Sequence, residues 1–136
     1  MQRRWTSEVV GLSGLSYPKI LGTIGLFSIE GRFLRSDLIK IWRAFHSEFD
    51  TGLIEIFHRR SHSATRGHQF KLAIPACHGE TQRRFLNARC VYMWNSLPSS
   101  MVAESSLGKF KAMLDSSYGG MFSKVNIDIS CVLQVA

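Results

Sequence analysis

The side chains of this chain that could do chemistry gather in its middle. They are His58, His62, His68, Cys77 and His78, with Arg66, Lys71, Arg83, Arg84 and Arg89 among and after them. Thiolate and imidazole are suitable zinc ligands, but a structural zinc site draws paired ligands from short knuckles. Here the only cysteine beside a histidine is Cys77, adjacent to His78, and Cys90 falls on the face of a predicted helix. The spacing favours loop histidines and a buried Cys90 over a metal site. A nucleophilic cysteine or serine needs a base within hydrogen-bond reach and a group that orients that base, and no motif supplies them. Nor is there a phosphate-binding glycine loop, a dinucleotide fingerprint or a carboxylate pair in a metal-binding motif. The expectation is a chain with no catalytic residues, no metal and no cofactor. What remains is charge. A guanidinium pairs with phosphate oxygens in a fixed fork, so local charge density makes Arg66, Lys71, Arg83, Arg84 and Arg89 the candidate nucleic-acid contacts, with His68 as a further donor. Tyr92 and Trp94 could stack on bases, but Trp94 falls on an apolar stripe and reads as core.

These candidates need elements to hold them. Gly67, between Arg66 and His68, would let a tight turn put both side chains on one side of the backbone. Phe70, Leu72 and Ile74 alternate with Gln69, Lys71 and Ala73, the pattern of a short half-buried strand or hairpin near 69–75 that ends at Pro75. Leu86, Cys90, Met93, Trp94 and Leu97 recur at helical spacing and predict a helix over 84–96, stopped by Pro98. Upstream, Leu34, Leu38, Ile41, Phe45 and Phe49 share one face of a helix over 28–49, with Trp42 at its margin. Arg32, Ser36, Lys40, Arg43 and Ser47 lie opposite and read as a solvated face before a phosphate-binding one. Short helices are expected over Gln2–Val10 and Ser16–Ile24, since Pro18 is tolerated in a first turn. A turn near Asp50–Gly52, a short helix through Phe57 and a polar, basic loop over 58–68 follow. After Pro98, Ser105 or Ser106 can cap a helix over 105–116 that carries Leu107, Phe110 and Leu114 and ends at Gly119-Gly120. From Val125 to Val135 alternate residues are apolar, the pattern of a C-terminal strand. The fold class expected is a small, mainly α domain.

Composition bounds the partner. A chain of 136 residues, 45% hydrophobic, can build one modest core but not a polymerase. Its net charge of +7 favours an anionic partner without distinguishing DNA, RNA or acidic lipid. Residues 61–98 are the most basic stretch, with five Lys/Arg against one Asp/Glu. Three unevenly spaced cysteines argue against a disulfide framework and fit a reducing, intracellular compartment, nucleus or cytoplasm. No run of about 18 apolar residues predicts a transmembrane helix, and Arg3-Arg4 is followed by no signal-like apolar stretch.

The order of TRGHQFKL, then RRFLNARCVYMWNSLP, then SSLGKFKAMLD resembles the region that follows the polymerase core in reverse transcriptases of non-LTR retrotransposons, jockey-like elements in particular. Gln2-Arg3-Arg4, Leu15-Ser16-Tyr17 with Gly25-Leu26, and RFLRSDLIKI from Arg32 to Ile41 extend the likeness upstream in the same order. It covers roughly residues 1 to 118, leaving 119–136 as a tail. Ile20 stands where the family usually has an arginine, and Phe33 interrupts an arginine pair between Arg32 and Arg35. In this family the metal-binding aspartates lie in the palm, upstream of anything present here. The resemblance therefore implies a catalytically inert remnant or fragment, helical, packing against a polymerase core and weakly binding template RNA or target DNA. A start at Met1, inside the family's QRR helix, is what a truncated or mispredicted frame would produce. The alternative is a protein-interaction module whose apolar stripes, 34–49 and 86–97, cover a polymerase or another partner.

Overall fold

The longest apolar stripe of the sequence forms the spine of the fold. The computed structural model describes residues 2–9, 11–46, 55, 57–60, 67–83, 85, 88 and 90–124. Helices α1 (Gln2–Ser7) and α2 (Tyr17–Ile24) pack on each other, and α3 (Ile29–His46) follows. After the segment that contains the turn at Gly67 come α4 (Glu80–Arg83), α5 (Val91–Ser96), α6 (Ser99–Val102) and α7 (Leu107–Phe122). The molecule is mainly helical, as the periodicities predict. Among the described residues the only β pairing is an antiparallel bridge between Arg59 and Leu72.

Leu34, Leu38, Ile41 and Trp42 of α3 are buried together with Phe110, Leu114 and Phe122 of α7 and with Val91, Met93 and Trp94 of α5. The stripe spacing puts these side chains on one face of each helix, so the faces meet with little polar surface between them. Trp42 is core and not margin. Its ring stacks on Phe110 at 5.6 Å, and its indole N–H donates to the Glu104 carbonyl at 3.0 Å. Arg32, Ser36, Lys40 and Arg43, predicted to face outward, are exposed.

The start of α3 is fixed by Ser28. Its Oγ accepts the N–H of Gly31 at 3.0 Å, as a helix cap does, and donates to the Phe122 carbonyl at 3.0 Å. The Ser28 N–H donates to the same carbonyl at 3.0 Å. Gly31 is the reason the junction closes. A Cβ there would collide with the carbonyl group of Phe122, so only glycine lets the two backbones approach. This contact also explains why α7 runs past the predicted stop at 116 and through Gly119-Gly120. The helix end is held by the fully buried Phe122 ring and by Ser28, which outweighs the weak helix preference of two glycines. The core thus extends beyond residue 118, where the likeness ends.

Other boundaries differ from expectation. Within the helix predicted over 84–96, Val91–Ser96 and Ala88 are α-helical, while the Phe85 N–H bonds to the Gln82 carbonyl and the Ala88 N–H to the Phe85 carbonyl in three-residue turns; residues 84, 86, 87 and 89 lie outside the described residues. The strand near 69–75 shrinks to a single bridge. Leu72 is buried, while Ile74 is 49% exposed. The predicted loop over 58–68 contributes His58, Arg59 and Arg60 to that bridge. The expected turn at 50–52 and the alternating tail from Val125 lie outside the described residues, as does Phe49.

Candidate nucleic-acid interface

The segment that carries the turn is docked on α5 by side chains bonding to backbone. Trp94 donates its indole N–H to the Phe70 carbonyl at 2.9 Å. Asn95 completes Leu72 on the side away from Arg59: its Oδ1 accepts the Leu72 N–H at 2.8 Å and its Nδ2 donates to the Leu72 carbonyl at 2.9 Å. A side-chain amide thus takes the place of a neighbouring strand. On the other side the Arg60 N–H donates to the Lys71 carbonyl at 3.1 Å and the Ala73 N–H to the His58 carbonyl at 2.7 Å. The Leu72 segment is thus held between the basic Arg59 segment and α5.

Gly67 adopts φ 129°, as the predicted tight turn requires, and the Lys71 side chain lies across it where a Cβ would stand. The turn aims His68 inward. Only 5% exposed, His68 donates from Nε2 to the Trp94 carbonyl at 3.1 Å and meets the indole edge-on at 5.9 Å. Its Nδ1 is buried, with no hydrogen-bond partner among the described residues. Burial pushes its pKa down, against the Trp94 carbonyl bond, which raises it, and Lys71 lowers it further. As a surface phosphate donor His68 is therefore replaced by a neutral core histidine, because a 26-residue-distant carbonyl takes its one N–H.

The remaining candidates divide. Lys71 is half-buried beside the bridge and Arg83 is exposed at the end of α4. Arg66, Arg84 and Arg89 lie outside the described residues. Arg35 is diverted to structure: its Nε and Nη2 meet the two Asp115 oxygens at 2.5 and 2.8 Å, joining α3 to α7, and the bond raises its pKa. Trp94 is fully buried, which removes it as a stacking platform, and Tyr92 is half-buried.

Sequence reasoning missed Arg59 and Arg60. The guanidinium carbon of Arg59 stands 5.1 Å from the Phe45 ring centroid and 5.6 Å from that of Phe70, so two aromatic faces hold one cation. Arg60 is exposed and opposes Lys71 across the pairing. The run His58-Arg59-Arg60 was the available signal: Phe57 and Arg59 share a parity, as Phe70 and Leu72 do, which is the pattern of a hairpin closing on its apolar side. Arg59, Arg60 and Arg83 make no ion pair with any carboxylate among the described residues.

Among the described residues no three His, Cys, Asp or Glu side chains converge as a metal would require, and no helix is long and apolar enough to cross a membrane. Comparison with protein-family models, with curated proteins and with solved structures gives no match to this chain.

Proposed function

We propose that this chain is a catalytically inert remnant or fragment of a non-LTR retrotransposon reverse transcriptase that binds RNA or DNA weakly and without sequence preference. The observation that carries the reading is the cluster of Arg59, Arg60 and Lys71 on one docked pairing, where the most basic stretch of the chain begins. Cations fixed on a backbone and facing solvent attract phosphate whatever the base, so affinity without specificity is the expected outcome. The ordered likeness from Gln2 to Asp115 supports the origin. A frame upstream of Met1 that encodes polymerase palm aspartates, intact or broken, is the genomic observation that origin requires, and unrelated promoter sequence there would count against it.

The binding half of the reading is tested with variants. Replacing Arg66, Arg83, Arg84 and Arg89 together by glutamine should weaken binding of a labelled single-stranded oligonucleotide and flatten its salt dependence, because up to about four fewer counterions are released. Replacing Lys109 and Lys111 should matter less, since residues 99–136 carry no net charge. Unchanged affinity and salt slope in the four-arginine variant, with its fold intact, would remove those residues from the site.

A protein-interaction module is the alternative reading. The faces expected to await a partner are largely consumed internally: Leu34, Leu38, Ile41, Cys90, Met93, Trp94 and Leu97 are all buried. What favours it is a different set, Trp5 at 65%, Phe33 at 62% and Phe85 at 62% exposure. Association that persists at high salt and is lost when Phe33 becomes serine would support this second reading.

A further inference from the structure

We propose that Arg59 is a pre-oriented anchor for a backbone phosphate of single-stranded nucleic acid, with Arg60 and Lys71 as its flanking cations; the proposal rests on the nucleic-acid reading above and names the residue that sets its geometry. Most surface arginines sample many rotamers, and a phosphate must immobilise them on binding. Arg59 has lost part of that freedom already. Its backbone is paired with Leu72, and its guanidinium lies over Phe45 at 5.1 Å and Phe70 at 5.6 Å. Those rings are themselves fixed, Phe45 against Trp94 at 5.8 Å and Phe70 against Phe45 at 5.6 Å. Ring faces attract the cation but accept none of its N–H groups in the manner of a carboxylate, so among the described residues the donor fork stays available for an anion.

The opposite parity adds a second observation. Arg60 and Lys71 stand opposite each other in the pairing, with the Lys71 side chain folded across Gly67. Strand alternation places Arg59 on the Leu72 side and Arg60 with Lys71 on the other, so positive charge lies on both faces of a narrow ribbon. An extended polyanion can follow such charge around an edge. A flat headgroup surface meets only one face, which favours nucleic acid over an acidic membrane.

The test is fluorescence anisotropy with a labelled 20-nucleotide oligouridine, on the full chain, across a salt series. Arg59→Gln should lower affinity about three- to tenfold and reduce the magnitude of the slope of log K against log salt by about 0.7, the value of one single-strand phosphate. Arg59→Lys keeps the charge and the side-chain stem but not the fork, so the slope should hold while affinity falls. Should Arg59→Gln fail to fold, Arg59→Lys still decides, since affinity equal to wild type would overturn the proposal. Salt-dependent wild-type binding that Arg59→Gln leaves untouched overturns the anchor alone. A wild-type chain that ignores the oligonucleotide, or binds only vesicles of phosphatidylserine and phosphatidylcholine, overturns the functional reading and the anchor with it.

Discussion

Trp94 ties the turn segment to the helices at a single ring. It is fully buried, donates to Phe70 and offers its carbonyl to His68. Trp94→Ala should therefore cost about 3–5 kcal/mol by core truncation alone, enough to unfold a small domain, and urea denaturation measures it. A soluble variant of unchanged stability would contradict this placement. Asn95→Ala strips two backbone groups of Leu72 of their partners, and a loss of about 1–3 kcal/mol is expected. His68 makes stability depend on pH in a defined direction. Its folded pKa lies below the unfolded value of about 6.5, so the unfolded chain takes up a proton before the folded one does. Stability contributed by neutral His68 is full above about pH 6.5 and declines as pH falls through the folded pKa. Between pH 7.5 and 5.5 the melting temperature of wild type should drop more than that of His68→Gln, which keeps a donor and cannot titrate. Equal drops would show that His68 is not the titrating group. Of these residues Trp94 and Cys90 were legible, because both sit on a periodic apolar stripe. His68 was not, since a histidine in a basic run looks solvated until a turn reverses it, and Asn95 carries no periodic signal for its role as a strand surrogate.

At the scale of elements, the long helices and the short α1 and α2 declared themselves, while α4 and α6 did not. The start at Ser28 was readable for α3 because cap, apolar period and length agree. The end of α7 was misread because its glycines are overruled by a contact 94 residues away in sequence, Ser28 with Phe122, which no local pattern reveals. Gly31→Ala should open this junction: the added methyl meets backbone, which cannot rotate aside. Loss of hydrogen-exchange protection at the α7 end is the expected readout, and protection like wild type would contradict the close approach. Arg35 and Asp115 bridge the same two helices with bidentate geometry and partial exposure. A double-mutant cycle with Arg35→Ala and Asp115→Ala should give a coupling of about 0.5–1 kcal/mol, within the range of exposed pairs. Zero coupling would mean that the pair adds nothing to a contact set by the buried α3 stripe and the Ser28–Phe122 junction.

The whole molecule presents a helical core with its apolar stripes turned inward and a basic pairing docked on its side. A net charge of +7 on 136 residues gives a long-range field that favours anionic partners over cationic ones. Composition and charge favoured an anionic partner, and the ordered likeness proposed an origin for the chain. The proposed surface stayed hidden, because Arg59 and Arg60 belong to a segment that reads as loop until it pairs with Leu72. The salt dependence of oligonucleotide binding tests this account most directly. The full chain should bind single-stranded RNA with Kd of about 10⁻⁴–10⁻⁶ M at physiological salt, tightening steeply as salt is lowered, with little difference between RNA and DNA or between sequences. Absence of binding at low salt, or binding that does not change with salt, would contradict it.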